Sequence, residues 1–278
     1  MPTLRDTSLA GRLLRSAIVP LVLLAGWELL TRCGGINPQI LPSPSQVFRK
    51  WVEYACPLEP YADSGQRYLA WAFSGELPLD AVATISRVAV GFAIGAGLAL
   101  PLGLLMGAFD GVYRLFNPLL QVLRPIPPIA YIPLAILWFG LGNPPAFFLI
   151  SLGAFFPVLM NTIAGVRQVD NIYLRAARNL GAPPATMFLR IILPAALPQI
   201  LTGVRVGVGV AFICVIVAEM IAVNNGLGFR ILEAREFFWS DKIIAGMLSI
   251  GLLGLAIDIG MDRLNRHLLR WHRGAGNR

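Results

Sequence analysis

The residues with the most chemical potential in this sequence are charged side chains placed within long apolar stretches. Arg124 and Arg205 lie deep in two such stretches, and Glu219 lies near the end of the second one. A charge in a hydrocarbon environment is costly, so such residues are functional candidates. The two guanidinium groups could attract an oxyanion, or they could pair with carboxylates and fix helix packing. Glu219 lies just before a turn-forming segment and could order it.

Other kinds of chemistry find little support. The two histidines, His267 and His272, both lie in the basic C-terminal tail, so no Ser-His or His-Glu pair is placed within the apolar stretches. The three cysteines, Cys33, Cys56 and Cys214, show no CxxC spacing, so no metal site is expected. No GxxxxGK[ST] phosphate-binding loop occurs, and the chain is therefore not expected to be an enzyme that hydrolyses ATP.

The composition predicts a membrane protein. Hydrophobic residues make up 56% of the 278 residues and charged residues only 14%, against about 25% charged residues in soluble domains. Apolar stretches that approach the ~20 residues needed to cross a bilayer favour helices, because lipid leaves backbone groups no other partner. The prediction is an all-α polytopic membrane protein with about six transmembrane helices. These lie near residues 16–33, 82–108, 115–140, 145–166, 196–223 and 243–264.

The distribution of charge predicts the orientation of these spans. Arginines concentrate in the termini and in the loops on one side, above all in the loop 167–195, whereas acidic residues balance the bases, Arg87 among them, on the other side. The positive-inside rule then places both termini and the 167–195 loop in the cytoplasm. The net charge of +8 is interpreted as a consequence of the membrane topology and of contact with anionic lipid. No nucleic-acid partner is expected, since the arginines are scattered and lack interleaved aromatic residues.

A single transmembrane domain over residues 1–278 is predicted, with its core at about 82–266. The N-terminal helix 16–33 leads into an outer segment, residues 34–81, whose prolines and charges prevent it from spanning. Within it, residues 45–54 have the apolar spacing of a short amphipathic helix. A second outer segment, 224–241, opens with turn-forming residues and then has a short helical pattern.

The third and fifth spans are the predicted walls of a translocation pathway. The third contains Pro127 and Pro128 beside Arg124, and prolines kink a helix and free its carbonyl groups. Irregular backbone at membrane depth is tolerated only against protein or a watery cavity. The fifth carries Gly209 near Arg205, and glycines permit close helix approach. The predicted pathway residues are Arg124, Pro127, Pro128, Arg205, Gly209 and Glu219.

The loop 167–195 contains a recognisable sequence pattern. Residues 175–181 read Arg-Ala-Ala-Arg-Asn-Leu-Gly, and Ile-Ile-Leu-Pro follows at 191–194. Small side chains at Ala176 and Ala177 allow close helix packing, Gly181 permits a turn that a Cβ would hinder, and Pro194 can open the next helix. This order resembles the EAA loop of ABC-importer permeases. One departure is Arg175, where that family usually has Glu, which removes a carboxylate that could form a salt bridge.

Further segments resemble one branch of that family, the permeases of nitrate, sulfonate, taurine and bicarbonate importers. They are the Leu-Pro-Ser-Pro-Ser-Gln-Val run at 41–47, the Arg-Pro-Ile-Pro-Pro run opening 124–134, the Leu-Trp-Phe-Gly-Leu-Gly run at 137–142, the 197–205 and 218–221 segments, the Gly-Leu-Gly run at 226–228 and the tail from 258 to 271. Together they cover nearly the whole chain in the family's order.

The resemblance implies a type I ABC-importer permease (MetI-like) fold in a bacterial inner membrane. It implies a permease dimer, expected to be a homodimer, that works with two ABC ATPase subunits and an extracytoplasmic solute-binding protein. The solute would be a small oxyanion or sulfonate: nitrate, taurine, an alkanesulfonate or bicarbonate. This chain would bind no cofactor, and ATP and Mg would be held by the ATPase. The coupling residues implied are Arg175, Ala176, Ala177, Gly181 and Ala182.

Two other classes of function remain to be weighed. A stand-alone secondary transporter or channel would show inverted repeats or midplane carboxylates, and the sequence offers neither clearly. An intramembrane enzyme would need a catalytic pair at membrane depth, where the chain has no histidine. Co-purification with an ATPase would separate the importer from both alternatives.

Overall fold

The computed structural model describes residues 9–37, 39–57, 71 and 74–269, with side chains from residue 18 onward. The predicted outer segment 34–81 is therefore only partly described, and His272 lies outside the described residues. The helices are α1 (Leu9–Arg32), α2 (Pro44–Ala55), α3 (Glu76–Ala108), α4 (Asp110–Leu123), α5 (Ile132–Phe139), α6 (Asn143–Arg167), α7 (Asn171–Asn179), α8 (Pro184–Met187), α9 (Leu193–Ala222), α10 (Leu227–Glu236) and α11 (Ser240–Leu268). The described residues contain no strand.

Length and hydropathy confirm a polytopic membrane protein. Within the described residues, four helical runs can cross a bilayer: Glu76–Ala108, Asn143–Arg167, Pro184–Ala222 and Ser240–Leu268. A bent pair, Asp110–Leu123 with Pro128–Phe139, would make a fifth span if it is counted as one. The first predicted span, 16–33, is helical within α1 but is not among these runs. The number of six spans therefore stays a prediction.

Chain contacts divide the protein into two units. The first comprises the described residues of Met1–Pro78 together with Arg230–Ser249, and the second comprises Leu79–Phe229 with the described part of Ile250–Arg278. In the first unit, α2 is the helix expected at 45–54, and it starts at a capping box in which Ser43 and Gln46 exchange hydrogen bonds. Glu28 of α1 accepts hydrogen bonds from the backbone and the hydroxyl of Ser45, which ties α1 to α2.

The core of the second unit lies between α6 and α9. Buried alanines and aliphatic residues of both helices pack together, and α3 covers the other side of α6. The approach of α3 to α6 requires small residues: a Cβ on Gly95 would lie 2.3 Å from the carbonyl oxygen of Ser151. The hydrophobic effect does not drive helix association in lipid, so the van der Waals packing that such close contacts allow stabilises the arrangement.

Two boundaries differ from the sequence prediction. The third span, expected as one kinked helix over 115–140, is divided into α4 and α5 with a bend of 81°. The helix after the 167–195 loop begins well before Pro194, because α8 continues through a π-helical turn at Phe188–Ile192 into α9. Pro194 therefore occupies the start of α9 but does not open the apolar run.

Candidate functional site

The bend between α4 and α5 is built by consecutive prolines. Proline has no N–H to donate, so Pro125, Pro127 and Pro128 cannot continue the ladder of α4. The helix ends with the N–H of Arg124 donating to the Leu120 carbonyl at 2.9 Å. A 3₁₀ turn at Pro128–Tyr131 then leads into α5. The result is irregular backbone in the middle of an apolar region.

This bend faces a cavity of about 380 Å³ in the second unit. The cavity lies between the bend, α6 and α9, and Arg124 is the one charged residue among its described lining residues. The lining is formed by Arg124, Ile126, Pro127, Pro128, Leu152, Gly153, Phe156, Pro157, Met160, Asn161, Val206 and Val210. Three of the six predicted pathway residues, Arg124, Pro127 and Pro128, are thus brought together.

Arg124 is exposed in the isolated chain, and its side chain forms no ion pair or hydrogen bond with any residue that the structure describes. Arg87 and Arg205, by contrast, each hold a carboxylate partner. An unpaired guanidinium in an apolar setting is unfavourable. Its five N–H groups are therefore available to an anion that enters the cavity.

The cavity also contains an amide that the sequence analysis did not single out. Asn161 of α6 donates from Nδ2 to the Pro157 carbonyl at 2.8 Å and accepts from Gln199 of α9 at 2.9 Å. Uncharged amides within apolar spans were not considered as candidates. The helical spacing of Pro157 and Asn161, four residues apart, is the signal that could have identified the first of these contacts.

Arg205 and Gly209 lie elsewhere, beside a smaller cavity of about 120 Å³ between α9 and α11. Arg205 forms a two-pronged ion pair with Asp258, with Nε–Oδ1 and Nη2–Oδ2 distances of 2.8 Å. Asp262 lies 3.7 Å from a third guanidinium nitrogen. This geometry matches the alternative in which Arg205 pairs with a carboxylate and joins two helices.

Glu219 is fully buried, with 0% of its surface exposed. Its Oε1 lies 2.7 Å from Nη1 of Arg87, which is itself only 5% exposed. The hydroxyl of Thr84 lies 2.9 and 3.0 Å from the two carboxylate oxygens. The guanidinium also donates to the side chain of Asn143 at 2.7 Å and to the backbone and side chain of Asn225. We call Arg87, Glu219, Thr84, Asn143 and Asn225 the buried ion cluster.

The turn after α9 wraps around this carboxylate. The N–H of Gly228 donates to Glu219 at 3.0 Å, and the N–H of Gly226 donates to Asp80 at 2.8 Å. Gly226 has a φ of +107°, and a Cβ there would lie 2.4 Å from the carboxylate carbon of Glu219. Glycine is therefore required at this position both for backbone conformation and for space.

Arg87 was expected among the outer charges, and its role in this cluster was not predicted. Asp80, Thr84 and Arg87 are spaced four and three residues apart in α3, so they share one helix face. Polar residues on one face of an apolar helix indicate a buried polar partner. The partner, Glu219, lies more than 130 positions away along the chain.

The predicted coupling residues lie on and after α7. Asp170 caps the helix by accepting from the N–H of Ile172 at 2.9 Å, and Ala177 is the buried residue of the helix. Gly181, with a φ of +74°, ends it. The N–H of Ala182 donates to the Ala177 carbonyl and that of Gly181 to the Arg178 carbonyl, both at 3.0 Å. These two bonds form a Schellman motif, which explains the glycine.

The exposed side of this segment is unusually apolar for a short polar helix. Ile172 and Tyr173 on α7 are more than half exposed, and Leu180 at its end is 87% exposed. Arg175 and Ala176 are also exposed. Large exposed apolar side chains close to charged ones are typical of a surface that binds another protein.

Comparisons with known proteins decide the family. Residues 99–273 match the family model described as "Binding-protein-dependent transport system inner membrane component". The chain belongs to this family. It is a membrane-spanning subunit of an ABC importer, and membership implies that it works with an ATPase and a solute-binding protein.

Two relatives cover nearly the whole permease. The taurine transport system permease protein TauC of Escherichia coli is 36% identical over 90% of this chain and 87% of its own length. The nitrate import permease protein NrtB of Synechocystis is 34% identical over 89% of this chain and 86% of its own. Both relatives are transport permeases and not enzymes. Neither name supports a stand-alone transporter or channel.

A solved structure confirms the fold. The inward-facing MetNI methionine ABC transporter contains a chain that aligns with a TM-score of 0.61 and 19% sequence identity, covering 69% of this permease and 95% of that chain. The MetI-like fold predicted from the sequence is therefore confirmed.

Proposed function

We propose that this permease imports a small oxyanion or sulfonate that an extracytoplasmic binding protein delivers. The class comprises nitrate, taurine and other alkanesulfonates, and bicarbonate. The names of the taurine and nitrate relatives support this class. Within the chain, the observation that supports this class is Arg124 in the cavity at the proline bend, whose side chain has no partner among the described residues.

The physical reason is the strength of charge interactions away from water. In a low-dielectric cavity a fixed guanidinium attracts an anion far more than it would in bulk solvent. The planar fork of arginine also matches the paired oxygens of a nitrate or sulfonate group. Arg124, Pro127 and Pro128 are therefore proposed to line the pathway. The sequence also proposes Arg205, Gly209 and Glu219, but the carboxylate and guanidinium partners described above favour roles in helix pairing for Arg205 and Glu219.

The coupling role is proposed for Arg175, Ala176, Ala177, Gly181 and Ala182. The exposed apolar residues of α7 would dock on an ATPase subunit, which would hold ATP and Mg. Two such subunits and two copies of this permease are proposed, since one coupling segment serves one ATPase. The exposed position of Arg124 in the single chain supports a second copy that encloses the cavity.

The function is tested by reconstituting the permease with its ATPase and its cognate binding protein in proteoliposomes. Uptake of taurine, ethanesulfonate, nitrate and bicarbonate is measured with and without ATP. At least one should accumulate in an ATP-dependent manner, whereas choline, a cationic control without an anionic group, should not. Accumulation of none of the four anions would refute the proposed substrate class.

The coupling segment is tested with Gly181→Val. Because nothing lies within 4 Å of a Cβ at Gly181, the effect arises from the positive φ alone, at about 1–3 kcal/mol of strain. We expect assembly to persist while ATP hydrolysis stimulated by the loaded binding protein falls. Gly181→Asn, which tolerates this conformation, should retain most activity, and Gly111→Ala on α4 is the control. Full stimulation in Gly181→Val would exclude the segment from coupling.

The proposed orientation has both termini in the cytoplasm. In a background without Cys33, Cys56 and Cys214, a cysteine is introduced at exposed Asn179 or at exposed Asn224. An impermeant maleimide added to intact cells should label Asn224→Cys, and Asn179→Cys should react only in inside-out vesicles. The reverse pattern would invert the topology.

A further inference from the structure

Among the described residues that line the cavity, Asn161 is the one uncharged side chain able to form hydrogen bonds. Its amide orientation is set by two contacts, one from Nδ2 to the Pro157 carbonyl and one to Oδ1 from Gln199. A primary amide nitrogen carries two hydrogens. One N–H of Asn161 is therefore left for a further acceptor, within a wall that is otherwise apolar.

The two helices are shaped to hold this amide pair. A Cβ on Gly203 of α9 would lie 2.5 Å from the Cβ of Asn161, and a Cβ on Gly165 of α6 would lie 3.0 Å from the Cβ of Gln199. Each amide thus lies opposite a glycine on the facing helix. This close approach restricts the rotamers of both side chains, so the remaining N–H is held in place.

We infer that Asn161 is a specificity-determining residue for the anion that passes Arg124, an inference that rests on the proposed function. Its available N–H donates to one oxygen of the oxyanion or sulfonate while the Arg124 guanidinium binds the others and balances the charge. Gln199 is a positioning residue that holds the Asn161 amide. Donors on both sides select for anions with several acceptor oxygens and disfavour cations.

The inference is tested with Asn161→Asp in the reconstituted complex. Aspartate keeps the size of the side chain and can still accept from Gln199, but it loses both amide hydrogens, including the one bonded to the Pro157 carbonyl, and adds a negative charge to the cavity that Arg124 lines. Hydrogen bonds to charged groups are strong enough that uptake of taurine and nitrate should fall by about tenfold or more. The complex should assemble with an unchanged yield. Uptake at the wild-type rate would overturn the inference.

Gln199→Leu is the matched control for a purely structural role. It removes the same interhelical hydrogen bond and the contact that holds the amide but leaves the Asn161 N–H, so uptake should fall, though by less than in Asn161→Asp. Asn161→Ala removes both and should lose uptake as Asn161→Asp does. Equal losses of uptake and complex yield in Asn161→Ala and Gln199→Leu would show that the amides only hold the helices together, which overturns the inference.

A parallel Arg124→Gln variant separates this inference from the proposed function. If Arg124→Gln loses uptake while Asn161→Asp does not, only the assignment of Asn161 is wrong. If Arg124→Gln retains full uptake, the proposed pathway itself is wrong.

Discussion

The buried ion cluster and the cavity at the proline bend each contain an arginine, but the two arginines have opposite surroundings. Arg87 has a carboxylate, two asparagine side chains and a backbone carbonyl as partners, and it is almost fully enclosed. Arg124 lies in the same unit with none of these among the described residues, and it lines an open cavity. One arginine is saturated by the protein, and the guanidinium N–H groups of the other have no partner among the described residues.

We propose that this difference separates structural from functional charge in this membrane protein. A buried ion pair needs hydrogen bonds to all its remaining groups, or its desolvation outweighs the attraction. The buried ion cluster meets that condition and ties α3, α6 and α9 to the turn at 223–228. Arg124, by contrast, is exposed in the single chain and has no side-chain partner among the described residues. The number of partners is therefore more informative than the presence of a charge.

The largest expected effect is on the buried ion cluster. Arg87→Leu or Glu219→Leu leaves an uncompensated buried charge, which typically costs about 3–5 kcal/mol. Each variant should give little folded complex and a strongly lowered unfolding midpoint in detergent. The double variant, which leaves no unpaired charge, should be more stable than either single one, as a double-mutant cycle measures. Additive losses would show that the pair is not coupled.

The second expected effect is on the turn that encloses Glu219. Gly226→Ala places a methyl group against the carboxylate and imposes a positive φ on alanine, at about 1–3 kcal/mol of strain before relaxation. The unfolding midpoint should fall clearly but less than in Arg87→Leu. Gly251→Ala on α11, where nothing lies within 4 Å of the added Cβ, is the control. An unchanged midpoint in Gly226→Ala would show that the turn is not held by the cluster.

The third expected effect is on transport, with stability unchanged. Arg124→Gln removes no contact with a partner among the described residues, so the unfolding midpoint should stay at the wild-type value while uptake falls by about tenfold or more. Arg124→Lys keeps the charge without the planar fork and should be intermediate. A fall in stability as large as that of Arg87→Leu would mean that Arg124 is structural after all.

The smallest effect is expected for the Arg205–Asp258 pair. Both side chains are more than a third exposed in the single chain, and exposed pairs contribute little. Arg205→Gln should leave uptake close to the wild-type rate, and Asp258→Asn should match it. Abolished uptake with normal assembly in Arg205→Gln alone would instead place Arg205 on the pathway with Arg124.

Features that depend on local chemistry could be predicted from the sequence. The prolines around Arg124 predicted irregular backbone at membrane depth, and Gly181 predicted the turn after α7. The bend was underestimated, because three prolines close together remove the N–H groups that would carry the helix through. A single kink was expected where the structure breaks the helix into two.

Features that depend on distant pairing could not be read in the same way. Nothing near Glu219 identifies Arg87 as its partner, and nothing near Arg205 identifies Asp258. Asn161 was overlooked because its relevance comes from Gln199 and from a glycine on a facing helix. Charge counting by segment also placed Arg87 outside the membrane, although its helix buries it.

The continuous helical run Pro184–Ala222 has a mechanical consequence. Its 39 residues correspond to roughly 58 Å at helical rise, and it starts two residues after the Schellman motif of α7 and ends three residues beyond Glu219. A helix is stiff along its axis, so we expect a displacement at Pro184 to reach Ala222 without a relay of side chains. Bending should concentrate at the π-helical turn Phe188–Ile192 and at Pro198, where the hydrogen-bond ladder is altered. We therefore expect the run to move as one stiff helix that bends at two sites near its N-terminal end.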